Sequence, residues 1–133
     1  MKQENKDLLF AGLSAMLPYH IKVKVSEVSY PVEFDVQMLA EIKNNNWYEY
    51  PIPYLRSMSS MTEEEKREYA SFIGGQQPFD SDFSTYPIEY RFVYEWDVVN
   101  YVNWLNAHHF DYRGLIKKGL ALIAPEGMYE IQN

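Results

Sequence analysis

Apolar positions fall at helical spacing most clearly between residues 95 and 110. Val98, Tyr101, Val102, Leu105 and His109 form one i, i+3, i+4, i+7, i+11 stripe, flanked by Trp104 and His108. Glu95 and Asp97 occupy its first turn, where carboxylates suit the positive end of the helix dipole. A corner follows. Asp111 is placed to cap a second helix of about one and a half turns, with Phe110 and Leu115 spaced as a hydrophobic staple. Lys117, Lys118 and then Gly119 mark its C-terminus. The apolar run 120–124, closed by Pro125, reads as a buried strand or an extended segment.

The remaining elements follow from the same patterns. Leu9, Leu13, Met16 and Leu17 make a first amphipathic helix that Pro18 breaks. Residues 20–25 alternate strictly, with Ile21, Val23 and Val25 on one face and His20, Lys22 and Lys24 on the other, as in a half-buried strand. Val32, Phe34 and Val36 alternate again. Over 37–43, Met38, Ala40 and Ile42 fit a strand, whereas Met38, Leu39 and Ile42 fit a helix. The triple Asn44-Asn45-Asn46, tolerant of left-handed backbone, decides for a hairpin into a strand at 47–50 and a three-stranded meander. Pro51 and Pro53 then confine the end of the last strand to an edge or an exit. Thr62 and Glu65 form a capping box for a helix running to about Ile73, with Tyr69, Phe72 and Ile73 inward. Residues 74–86 make one extended loop, 88–94 a further strand, and 126–133 a loose tail.

Composition narrows the class without naming a chemistry. A chain of 133 residues is one domain that buries roughly two-thirds of its unfolded surface. The absence of cysteine excludes a disulfide scaffold, a thiolate zinc site and a cysteine nucleophile. Lys2 and Lys6 ahead of an apolar stretch resemble a signal peptide, but Glu4, Asp7 and the helical stripe favour a first helix of a cytoplasmic protein. No run of roughly 18 apolar residues suggests a membrane span. A net charge of −7 disfavours binding through nucleic-acid phosphates. The 12 tyrosines stand out, since tyrosine is common both on sheet faces and at binding surfaces.

Candidate chemistry gathers at the corner. His108, His109 and Asp111 have the side chains of a zinc or iron site or an acid–base cluster. Adjacent histidines on a helix point about 100° apart, however, and all three residues have structural uses there: finishing a stripe, bonding the last carbonyls and capping. Arg113 is placed to pair with Asp111 or with a partner protein. Ser59 and Ser60 lack the glycines of a phosphate cradle or nucleophile elbow, and Asp80 and Asp82 lack the rest of a calcium loop. Gly114 and Gly119 have Walker spacing without the Lys-Ser/Thr that must follow.

Three blocks resemble a known group. The stretch 54–62, Tyr-Leu-Arg-Ser-Met-Ser-Ser-Met-Thr, resembles an "LRP-L/M-S-x-L/M-T" signature, with Ser57 where the group has proline. His109-Phe110-Asp111-x-x-Gly114-Leu115-Ile116-x-Lys118-Gly119-Leu120-Ala121 resembles "HFD-x-x-GLI-x-KGLA", and Leu17-Pro18-Tyr19-x-x-Lys22-Val23 matches the group's start. Together they cover about a quarter of the chain. The chain is thus similar to small uncharacterised proteins encoded by phages and prophages of gut Bacteroidetes. That resemblance implies a phage-type gene acting in the host bacterial cytoplasm, and no particular activity.

The expected fold is α+β, a small antiparallel sheet of three to five strands with helices packed on one face. The expected function is that of a non-catalytic accessory protein, without cofactor, that binds a protein partner or itself through Arg56, Tyr112, Arg113 and Trp104. Two alternatives are a small metal-dependent enzyme on His108, His109 and Asp111, and a nucleic-acid binder using aromatic stacking.

Overall fold

The computed structural model describes residues 2–44, 50–72 and 95–129, with backbone only for 70–72 and 95–98. The expectations for 45–49, Ile73, the loop 74–86, the strand 88–94 and residues 130–133 lie outside that set, as do those for the side chains of Phe72, Glu95, Asp97 and Val98.

The chain folds as α+β around a small sheet. In order come α1 (Gln3–Met16), a 3-10 turn (Leu17–Tyr19), β1 (Lys22–Lys24), β2 (Val32–Glu33), α2 (Val36–Lys43) and β3 (Ile52–Leu55). A second 3-10 turn (Met58–Ser60), α3 (Glu63–Phe72), α4 (Glu95–Ala107) and β4 (Leu122–Ile123) complete it. The sheet order is β2-β1-β3-β4. Strand β1 pairs antiparallel with β2, placing Lys22 opposite Glu33, and with β3, placing Val23 opposite Pro53. Strand β4 pairs parallel with β3, Tyr54 opposite Leu122 and Leu55 opposite Ile123. The sheet is therefore mixed, not purely antiparallel. A parallel partner needs a long crossover, and here α3 and α4 lie in that crossover.

Two local expectations are corrected. Residues 36–43 form α2 and not a hairpin strand, because the Asp35 carboxylate caps the segment by accepting the Met38 N–H at 2.9 Å. Lys43 closes its last turn, and the Asn44 N–H bonds back to the Ala40 carbonyl. With that helix in place the first strand lies inside the sheet, between β2 and β3. The prolines are the second correction: β3 is internal although Pro53 lies within it. Its ladders are short, and pairing with β4 begins one residue later, at Tyr54.

Burial divides into two clusters. One joins Leu9, Leu13 and Met16 of α1 to Ile21, Val23, Phe34, Ile42, Leu55, Leu115 and Leu120. Gly12 belongs to this contact, since a β-carbon there would meet the Leu115 Cδ1 at 3.1 Å. The other joins Met58, Met61, Tyr69, Tyr101, Leu105 and Phe110, and its Tyr69 and Tyr101 hydroxyls hydrogen-bond to each other. Tyr112 packs against both clusters and so sits at their junction. No described helix is long and apolar enough to cross a membrane.

Candidate functional site

The corner after α4 is built from two successive helix-stop motifs. At the first, the Phe110 N–H reaches back to the Leu105 carbonyl (3.0 Å) and the His109 N–H to that of Asn106 (3.1 Å). This double bond pattern puts His109 in left-handed backbone, with φ 62°. At the second, the Leu120 N–H bonds Leu115 O (2.8 Å), the Gly119 N–H bonds Ile116 O (3.0 Å), and Gly119 has φ 75°. The flanking pairs Leu105–Phe110 and Leu115–Leu120 are buried, which is the apolar contact that accompanies such stops. Between the stops, residues 112–118 form turns, not the regular short helix expected from the capping pattern. Gly114, at φ 76°, interrupts the path, and the Asp111 carboxylate spans the interruption to accept the Leu115 and Ile116 N–H groups at 2.8 and 2.9 Å.

This geometry sends the three candidate ligands in different directions. His108 Nδ1 donates to the Trp104 carbonyl (2.8 Å), and its ring stacks on the Trp104 indole at 4.2 Å. His109, 8% exposed, directs Nε2 at the Tyr19 carbonyl (2.6 Å) and stacks on Tyr129 at 3.8 Å. A carbonyl only accepts, so Nε2 carries the proton of the neutral ring. Burial holds the His109 pKa below the ordinary histidine range, opposed by the Tyr19 hydrogen bond and aided by the charges of His108, Arg56 and His20. Asp111 is engaged with backbone N–H groups. Among the described residues, no group of three or more His, Cys, Asp or Glu side chains is arranged to hold a metal ion.

Arg56 continues the line of β3 into the corner. Its N–H donates to His109 O and its carbonyl accepts from Asp111 N, both at 2.8 Å. Its guanidinium forks onto the buried carboxylate of Glu65, at 2.8 and 2.7 Å, and lies over the Phe110 ring. Glu65 also accepts the Thr62 N–H (2.9 Å) while Thr62 Oγ accepts the Glu65 N–H (3.1 Å), the reciprocal bonds of the predicted capping box. Burial alone would raise the Glu65 carboxyl, but the Arg56 and Thr62 hydrogen bonds and the Arg56 charge bring it below its usual range. The Arg56–Glu65 pairing had no signal in the sequence beyond the capping box itself.

The other candidate interaction residues also have internal work. Trp104 Nε1 donates to Glu68 (2.9 Å), and the Tyr112 hydroxyl donates to the buried Asn106 (2.9 Å). The Arg113 guanidinium stacks over Tyr112 at 4.5 Å, leaving a buried Nη1 without a hydrogen-bond partner.

Sequence patterns did not foretell the cleft beside this corner. It has a volume of about 510 Å³ and lies between Arg56, Ser57, Ser60 and Thr62 on one wall and the segment 123–127 with Tyr129 on the other. Ser57 and Ser60 close the 3-10 turn: the Ser60 hydroxyl donates to the Ser57 carbonyl, and Ser57 Oγ contacts Ser59 Oγ. Leu122 and Ile123 of β4 stand exposed next to it, Ile123 at 66%. Tyr129 fixes the far wall, its hydroxyl accepting from Lys22 N and donating to Tyr54 O, each at 2.8 Å. No family model, curated protein or solved structure matches the chain, so any function assigned to it stands on this geometry and on its sequence.

Proposed function

We propose that the chain is a phage- or prophage-type accessory protein of the host cytoplasm that acts by binding another protein and catalyses nothing. The observation that carries this reading is a division of labour at the corner. His108, His109, Asp111, Arg56 and Glu65 all engage their own chain, whereas β4 offers exposed Leu122 and Ile123 along an open cleft. An exposed apolar strand beside a groove suits an extended segment of a partner, which adds backbone bonds for affinity and side-chain contacts for selectivity. Arg56 is the one residue among the sequence candidates that lines this cleft.

The test is a photo-crosslinking amino acid at position 123, with position 36 as a control, since Val36 is equally exposed on a different element. Adducts specific to position 123, and abolished by Leu122→Asp, support the reading. A monomer in sedimentation that forms no more adduct at 123 than at 36 removes it. The metal-enzyme and nucleic-acid alternatives lack a comparable feature: the imidazoles face apart, and the net charge of −7 opposes phosphate contacts.

A further inference from the structure

The segment 124–129 forms one wall of the cleft, and a single side chain ties down its end. Ala124 N–H bonds the Leu55 carbonyl (2.8 Å), and beyond it the Tyr129 hydroxyl bridges β1 and β3 through Lys22 and Tyr54. The Tyr129 ring lies against the His109 imidazole, 3.8 Å between centroids and 15° from parallel. His109 in turn faces the Tyr19 carbonyl at the end of the 3-10 turn that follows α1. One imidazole thus joins that turn, the corner and the cleft wall.

We infer that residues 124–129 are a strap forming one wall of the cleft, held by the Tyr129 side chain through its stacking on His109 and its hydroxyl bonds, and that protonation of the His109 ring loosens it. The inference rests on the cleft being a binding site, and it names how that site is widened. With Nε2 already bonded to a carbonyl, the added proton must go to Nδ1. The ring then carries a buried charge. Arg56, His108 and His20 surround it with charge of the same sign. The carboxylates of the neighbouring elements are engaged elsewhere, Asp111 with the Leu115 and Ile116 N–H groups, Glu65 with Arg56 and Glu33 with His20 on the surface. A charged ring gains attraction to the Tyr129 face and a stronger bond to Tyr19 O, but burial is the larger effect.

Relief has one easy direction. The His109 backbone is fixed by the helix-stop bonds, and Tyr19 lies between α1 and the buried Ile21. The strap end is held by the Tyr129 side chain, so the Tyr129 face is where the contact opens. The open state has an ordinary histidine, with a pKa of about 6.5. The folded value lies below that, so the strap is closed above this pH and loosens as pH falls beneath it.

Hydrogen exchange of the purified protein between pH 7.5 and 5, corrected for intrinsic rates, tests this without a partner. Expected at the lower pH is a several-fold faster exchange of the Lys22 amide, which donates to the Tyr129 hydroxyl, and of the Met128 amide, which donates to the Pro125 carbonyl, while the helical amide of Leu105 keeps its protection. His109→Asn, whose side chain tolerates left-handed backbone, should lose the pH dependence. Should that variant fail to fold, NMR titration of the wild type serves instead, and the Tyr129 ring signals should shift at the His109 midpoint. Strap exchange that does not respond to pH overturns the inference. So does loosening that keeps step with the core, a dependence that survives in His109→Asn, or Tyr129 signals indifferent to the His109 titration. Strap release with no position-123 adducts at any pH instead counts against the binding reading, leaving the latch intact.

Discussion

The Arg56 guanidinium lies over the Phe110 ring, 4.2 Å from its centroid, while both of its terminal nitrogens hold the Glu65 carboxylate. One side chain therefore joins the end of β3, the start of α3 and the corner after α4. A desolvated cation over an aromatic face contributes about 2 kcal/mol, and removing one member of a buried ion pair costs about 3 kcal/mol or more, because the other charge is stranded.

Arg56→Ala is accordingly expected to lower unfolding free energy by about 3 kcal/mol in denaturant titration. Arg56→Lys should recover only part of this, since an ammonium cannot fork onto the carboxylate. A loss under about 1 kcal/mol for Arg56→Ala, the size of a surface pair, would show that the contact is not buried in solution.

The same pair sets an acid limit. Folding holds Glu65 below its ordinary range, so its contribution is complete above the unfolded value of about 4.3 and disappears as pH falls through the lower folded value. Glu65→Gln should flatten that part of the stability profile while lowering stability at neutral pH. A profile unchanged by the substitution would assign the acid transition to other carboxylates.

Two histidines share a left-handed backbone, His20 with φ 60° and His109 with φ 62°. Strain alone would make glycine welcome at both, by about 1 kcal/mol each. His20 is exposed and its ring bonds the exposed Glu33, so His20→Gly should leave stability within about 0.5 kcal/mol of wild type. His109→Gly loses its stack and the Tyr19 bond and should cost about 2 kcal/mol net. Equal effects at the two positions would mean that the His109 ring contributes nothing to folding.

Added zinc or iron should leave the melting temperature where it is. His108 Nδ1, His109 Nε2 and both Asp111 oxygens are bonded to backbone groups in divergent directions. A ligand that bound only the folded state at a hundred times its dissociation constant would add about 2.7 kcal/mol, an effect easily measured. A clear upward shift with metal would restore the enzymatic alternative.

Much of the local structure was legible from residue order because it is made by near neighbours. The Thr62–Glu65 box, the α1 stripe and the Gly119 stop depend on residues within one turn of each other. The α2 segment reads as a hairpin strand because Asn44–Asn46 is a strong turn signal, whereas the Asp35 cap at the other end is what makes it a helix. The roles of Arg56 and Tyr129 could not be read at all: their partners, Glu65, Phe110, Lys22 and Tyr54, are set by how separate segments dock. At the candidate site, residue types were visible in the chain, but the direction each ring faces came only with the backbone path through the two stops.

Because Tyr54 and Leu55 find their parallel neighbours at Leu122 and Ile123, that flank of the third strand has no mate while everything between is being synthesised. A nascent chain emerging from the ribosome would carry a bare, sticky seam for that whole interval. The sheet is zipped last along the side next to the cleft, and late closure of this kind makes slow refolding and strand exchange between neighbouring molecules the natural hazards of this chain.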